Sequence, residues 1–277
     1  MRARLILLVL VSGCTSARPD TAPGAEQRSP HAEVLAKAPP AAPADAPIGG
    51  SSGVPDAGPK AALSPPEPRA DIKADINARF LDPDLDVERW TRTFEGESRE
   101  TYAARHEVVR ALQLSPGQSV ADIGAGSGFY LWAFAEAVGP TGQVYGVEIA
   151  PRFLERLRKH VREEKVENAA IVTGTTRSVQ LAEGSVDLVF ICDTYHHFEY
   201  PQTTLASIRR ALRPGGALVI IDFKRVEGKT ANWILEHVRA GQEVFRREIE
   251  AAGFVFDREL DISGFSENYM MRFTTGE

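Results

Sequence analysis

Cysteine is nearly absent. The 277 residues contain two, Cys14 and Cys192, in settings so different that no disulfide framework follows. Basic charge is not in excess either. With 32 Lys and Arg against 38 Asp and Glu, the formal net charge is −6, and nothing suggests a nucleic-acid partner. The apolar run near the start, Leu5 to Val11, is too short to cross a bilayer as a helix. No aromatic residue precedes Phe80, and no internal repeat is evident. Residues 15–70 hold 12 of the 18 prolines and many alanines. Such a segment cannot bury enough apolar surface to offset its ordering entropy, so it is expected to be a disordered linker. A flexible tether of that length has an end-to-end distance of roughly 40–45 Å, and its prolines extend it further.

Ahead of that linker stand Met1-Arg2-Ala3-Arg4, the short apolar run, and Val11-Ser12-Gly13-Cys14. A charged start, an apolar core and small residues before a cut fit a secretory signal. The tetrad resembles the lipobox of bacterial lipoproteins. That resemblance implies a signal peptide over residues 1–14, a diacylated Cys14 and a protein anchored to a membrane of the cell envelope. Several acyl chains would hold it there stably, where one myristoyl chain would not. Two other readings stay open: an ordinary leader with a chance cysteine, or a misassigned start, which would make the protein cytoplasmic.

From residue 71 to 277 the composition is that of a folded domain. The stretch 71–96 is polar and partly helical, and Glu100 to Leu114 reads as one helix. Strand and helix signals then alternate: strands at Ser119–Ile123, Val144–Ile149, Ala169–Thr173, Val186–Cys192 and Ala217–Phe223, with helices between most of them. Arg213-Pro214-Gly215-Gly216 reads as a turn, and a helix over Gln242–Ala252 is stopped by Gly253. Phe254–Leu260 and Asn268–Thr274 are joined too closely for a crossover and should be antiparallel. Alternation of this kind predicts a mostly parallel sheet covered on both faces. Runs such as Leu188-Val189-Phe190-Ile191 suit burial on both sides.

The chemistry concentrates in Val120-Ala121-Asp122-Ile123-Gly124-Ala125-Gly126-Ser127-Gly128. A buried strand ends in an acid, enters a glycine turn and passes at once into a helix. Glycine serves where backbone must turn sharply and come close to a ligand. The spacing is Asp-x-Gly-x-Gly-x-Gly; Phe129 stands where the third glycine of a dinucleotide fingerprint would be. Glu148 ends the second strand, 24 residues after Gly124, a usual distance for a carboxylate that accepts from ribose hydroxyls. Asp193 follows the fourth strand. Ligands of open α/β sheets bind beyond the carboxyl ends of the strands, where these acids lie. Next to Asp193 come Thr194-Tyr195-His196-His197-Phe198. A histidine there could accept a proton from an attacking hydroxyl or amine; equally, one could brace the scaffold and the other pack on a ligand. No Cys or His cluster has ligand spacing beyond the His196–His197 pair, so no metal is expected. Cys192 reads as a small buried apolar residue.

These motifs, with Val144-Tyr145-Gly146-Val147-Glu148, Ser185-Val186-Asp187-Leu188-Val189 and Leu212-Arg213-Pro214-Gly215-Gly216, resemble those of class I S-adenosylmethionine-dependent methyltransferases over about residues 89–273. The resemblance implies a Rossmann-like three-layer α/β sandwich, with a mostly parallel seven-stranded sheet and an antiparallel last strand. It implies S-adenosylmethionine as cofactor; the methyl acceptor is set by the rim and not by these motifs, and a small molecule is expected. Gly124, Ala125 and Gly126 would approach the methionine part. Asp122 would serve the amino end, Glu148 and Ile149 would border the ribose, and Asp193 would face the methionine side and the methyl group. Arg99, Tyr102, Arg105 and His106 would lie on a segment folded over the cofactor, or form a solvated helix face. One departure stands out. Where related sequences carry an acid that accepts from the adenine amino group, this chain reads Gly174-Thr175-Thr176-Arg177-Ser178. Thr176 or Ser178 could substitute; otherwise adenine is held less well or the site has decayed. Two alternatives remain: a tethered binding module that keeps the fold without catalysis, and a nicotinamide oxidoreductase, against which the glycine spacing argues.

Overall fold

The computed structural model describes residue 72 and residues 75–276. The expected signal peptide, the expected lipidation at Cys14 and the expected linker lie outside the described residues. In chain order the elements are α1 (Ala78–Leu81), α2 (Val87–Phe94), α3 (Glu100–Ala103), α4 (Arg105–Leu112), β1 (Ser119–Ile123), α5 (Phe129–Val138), β2 (Gln143–Glu148), α6 (Pro151–Glu163), β3 (Ala169–Thr173) and β4 (Val186–Cys192). A 3₁₀ turn (Tyr195–His197) is followed by α7 (Pro201–Ala211), β5 (Leu212–Phe223), α8 (Asn232–His237), α9 (Gln242–Ala251), β6 (Val255–Glu259) and β7 (Asn268–Thr274).

The seven strands form one sheet in the order β3-β2-β1-β4-β5-β7-β6. β1 to β5 run parallel, and β7 inserts antiparallel to both β5 and β6. This is the expected Rossmann-like three-layer architecture, antiparallel last strand included. Side chains of a strand alternate between faces, and the two cores divide accordingly. Leu188, Phe190, Val219 and Ile221 join Val108, Leu131, Phe134 and Leu157 of α4, α5 and α6 on one face. Val189, Ile191, Leu218 and Ile220 join Leu205, Ile208, Phe245 and Ile249 of α7 and α9 on the other.

Two local expectations are corrected, and one element is added. The helix expected over residues 100–114 is two, α3 and α4, broken at Ala104 (ψ 10°). Near the break the Thr101 carbonyl accepts the buried Tyr130 hydroxyl at 2.8 Å, a tie to α5 that local propensity cannot reveal. Arg213–Gly216 lies within β5 as a bulge: Leu212 sits opposite Val186 and Ala217 opposite Leu188. Finally, α8 was not expected from the sequence; it is six residues long with one buried residue, Ile234.

Candidate active site

The strand order reverses between β1 and β4, and the crevice beyond their carboxyl ends is where an open α/β sheet binds its ligand. Asp122, Glu148, Asp193 and also Asp222 lie at the ends of β1, β2, β4 and β5.

The glycine turn leaves β1 with Gly124 at φ 74° and Gly126 at φ 53°. Gly124 and Ala125 both donate their N–H to the Val147 carbonyl, at 2.8 and 3.2 Å. Two demands meet at Gly124. Its φ is left-handed, and a Cβ there would stand 2.4 Å from Thr194 Cγ2. Thr194 cannot swing aside freely, because its hydroxyl donates to the Cys192 carbonyl at 2.8 Å. Gly124→Ala should therefore cost about 1–3 kcal/mol in backbone strain alone, with the clash added. Urea denaturation checks this: Thr194→Ala in the same chain should recover the steric part and leave the rest.

Asp122 is 3 % exposed. Its carboxylate accepts no hydrogen bond from the described residues, and burial, aided by the charge of Glu148, pushes its pKa to about 8. Glu148 is satisfied instead. It accepts from the N–H groups of Gly126 (2.9 Å), Ile149 (2.7 Å) and Ala150 (2.9 Å), so one carboxylate ties the glycine turn to the start of α6. Burial raises its pKa and these three bonds partly offset that. A carboxylate has about four lone-pair sites, so room for one more donor remains.

Asp193 takes a left-handed backbone, φ 47°. Its carboxylate accepts from Arg99, from Asn268 Nδ2 at 2.8 Å and from Thr101 Oγ1 at 3.3 Å. Burial raises its pKa and Arg99 opposes the rise. The Arg99 guanidinium lies 5.3 Å from the ring centroid of Phe94, whose ring atoms would be 3.5 Å from a Cβ on Gly126. Phe94 stacks on Phe153 and contacts Trp90 and Phe80. The segment before β1 thus folds over the glycine turn. Of its four candidate residues only Arg99 reaches the strand-end acids: Tyr102 packs edge-on against Phe129, Arg105 stacks on Tyr102, and His106 is exposed. After β3, Thr175 and Ser178 close a tight turn, and Arg177 lies 3.4 Å over the Tyr200 ring.

His196 and His197 share the 3₁₀ turn, their ring centroids 4.4 Å apart. His196 Nδ1 lies 2.8 Å from Asp222 Oδ1, and the same carboxylate accepts the N–H groups of His196 and Phe223. Burial pushes Asp222 to about 7 and lowers His196 to about 3. His197 is also lowered well below its ordinary value, first by burial and then by its two histidine neighbours. Both present neutral rings at neutral pH. Burial lifts the Cys192 thiol well above its usual range, leaving it inert.

The sheet order and the strand-end acids agree with the class I S-adenosylmethionine-dependent methyltransferases that the sequence motifs resemble. Residues 121–220 match the family model described as a methyltransferase domain. The matched stretch runs from β1 to β5 and takes in the glycine turn, Glu148 and Asp193. Among curated relatives, an arsenite methyltransferase of Halobacterium salinarum is 32% identical over 109 residues, 39% of this chain and 28% of that protein. A ubiquinone/menaquinone biosynthesis C-methyltransferase of Burkholderia multivorans is 28% identical over 129 residues, 45% of this chain and 53% of that protein. The chain spans at most about half the length of these relatives. A SAM-dependent methyltransferase from Aquifex aeolicus superposes with a TM-score of 0.60 at 22% identity, over 69% of this chain and all of that one, which shows the shared fold.

Proposed function

We propose that this domain transfers the methyl group of S-adenosylmethionine to a small molecule that enters beside the His196–His197 turn. The observation that carries the reading is Asp122: a buried carboxylate at the tip of β1, beside the glycine turn, without a hydrogen bond from the described residues. A buried charge wants a partner, and the ammonium group of the cofactor's methionine part is of the right sign. The residues fit the group in two further ways. Gly124 and Gly126 carry the turn past Asp122 without side chains, packed against Thr194 and Phe94, and Glu148 keeps a free acceptor position for a ribose hydroxyl.

When bound, the cofactor supplies a methyl group already activated on a sulfonium. The protein's task is alignment and exclusion of water. Phe94 and Arg99 close over the glycine turn, and the Arg99–Asp193 pair holds that cover to the end of β4. Lowered by burial, neither histidine is a strong base, which suits an acceptor that needs little proton removal. On the acceptor side, Phe80 meets His197, and Trp233 meets Phe223 next to His196. A rim of rings is matched to a small, partly apolar acceptor.

Calorimetry of the full chain with S-adenosylmethionine and with its demethylated product tests the site. Tritiated-methyl transfer into a small-molecule extract tests the reaction. Micromolar binding and labelling of low-mass material are expected. Absence of both overturns the reading.

A further inference from the structure

We propose that His196, His197 and His237 form a binding site for a first-row divalent cation of the zinc class, open at one position to a donor atom of the methyl acceptor. His237 ends α8, 40 residues beyond His197, and the fold brings it to the pair. One ring nitrogen from each histidine lies within 4.8 Å of the other two. The Nε2 atoms of His197 and His237 face each other at 3.3 Å. Two nitrogens bound tetrahedrally at Zn–N distances of about 2.0–2.1 Å stand about 3.3–3.4 Å apart, so this edge already has the required length.

The orientation of each ring agrees. His196 Nδ1 is held by the buried Asp222 carboxylate, which leaves Nε2 to bind. A carboxylate behind the far nitrogen is the usual support of a metal-binding histidine; it fixes the tautomer and raises ligand basicity. His197 Nδ1 is buried without a hydrogen-bond partner in the described protein, so the polar interactions of that ring fall on Nε2, the atom that faces His237. Asn77 Nδ2 donates to the His197 carbonyl at 3.0 Å and steadies the turn from α1. Charge also permits a cation. Of the guanidinium groups near the cluster, Arg239 is paired with Glu248, Arg99 with Asp193, and Arg79, whose charge acts on His197, lies 5.5 Å from the Trp90 ring centroid, while Asp222 faces His196. His197 and His237 are only half-buried, which keeps the cluster accessible. Three protein nitrogens with a vacant fourth position is the coordination of catalytic zinc, not of closed structural sites. Such an ion would grip an acceptor through a hydroxyl, thiol or amine. That role rests on the methyl-transfer reading; cation binding does not.

Titration of the chelator-treated full chain with Co(II) tests the site, because a four-coordinate Co(II) centre absorbs in the visible. About one ion per chain is expected, displaced by Zn(II). His197→Gln and His237→Gln should each lower affinity more than tenfold, and Asp222→Asn roughly 10–100-fold. His237→Gln, on the half-exposed end of α8, should keep the wild-type thermal transition and S-adenosylmethionine affinity, so its loss of cobalt would not reflect misfolding. No uptake by the wild type, or uptake unchanged in His197→Gln and His237→Gln, overturns the proposal and leaves the 3.3 Å contact as a simple N–H···N hydrogen bond. Cofactor calorimetry on the metal-free chain separates the two readings: cofactor binding without cobalt binding defeats the metal site alone, and the reverse defeats the methyl-transfer reading alone.

Discussion

Asp122→Asn is expected to weaken S-adenosylmethionine binding while stabilising the free domain at neutral and alkaline pH. A hydrogen bond to a charged group contributes about 1.5–3 kcal/mol, so affinity should fall roughly 10–150-fold. The stability change has the opposite sign. The ordinary pKa of Asp122 is 3.8, and burial first, Glu148 second, raise it to about 8 in the fold. Between those values the unfolded chain has released a proton that the folded chain retains. Stability therefore falls as pH rises through the window, and levels off above it. Asparagine removes that slope. In the wild type, the cofactor's cationic end favours the ionised carboxylate, so binding expels the proton and affinity climbs from pH 6 to pH 8. Calorimetry at pH 6, 7 and 8, beside urea denaturation at the same values, checks both effects. A variant that binds as tightly as the wild type with the same pH dependence removes Asp122 from the cofactor's partners.

What could be read from the chain was whatever is local and periodic. The parallel strands, the glycine turn and the strand-end acids Asp122, Glu148 and Asp193 follow from alternation and from residues adjacent in sequence. Asp222 was within reach of the same rule, since it stands one residue before the end of β5. His237 was not, because nothing near it marks α8, and its meeting with His197 is made by the fold alone. The break between α3 and α4 belongs to the same kind, fixed by Tyr130 and by Glu100, whose carboxylate accepts the N–H groups of Ser266, Glu267 and Asn268. The glycine spacing separated this site from a dinucleotide fold, yet could not show that Glu148 spends three of its acceptor positions on backbone. Arg177, standing where an acid was expected, packs flat on Tyr200 and gives that turn an aromatic wall.

Glu248→Gln is expected to produce the largest loss of stability, about 3–5 kcal/mol, the usual cost of stranding one member of a buried ion pair. The Arg239 and Glu248 side chains are 2% and 6% exposed. The guanidinium grips the carboxylate with both terminal nitrogens, Nη1 to Oε1 at 2.8 Å and Nη2 to Oε2 at 2.6 Å. The same carboxylate accepts the Tyr195 hydroxyl at 3.1 Å, and Arg239 lies 4.6 Å over the Phe245 ring. Glutamine keeps the shape and one acceptor but loses the charge, so the guanidinium stays buried without its counterion. Because Tyr195 immediately precedes His196, the damage should reach the 3₁₀ turn and loosen the His196–Asp222 contact as well. The paired replacement Arg239→Met with Glu248→Met should recover most of the loss, since well-packed apolar substitutes for a buried pair are often neutral or better. Urea denaturation of the two single variants and the double, analysed as a cycle, measures the coupling. A cost for Glu248→Gln below about 1 kcal/mol, the range of an exposed pair, would mean that water reaches these charges and that the pair does not anchor α9 to the turn.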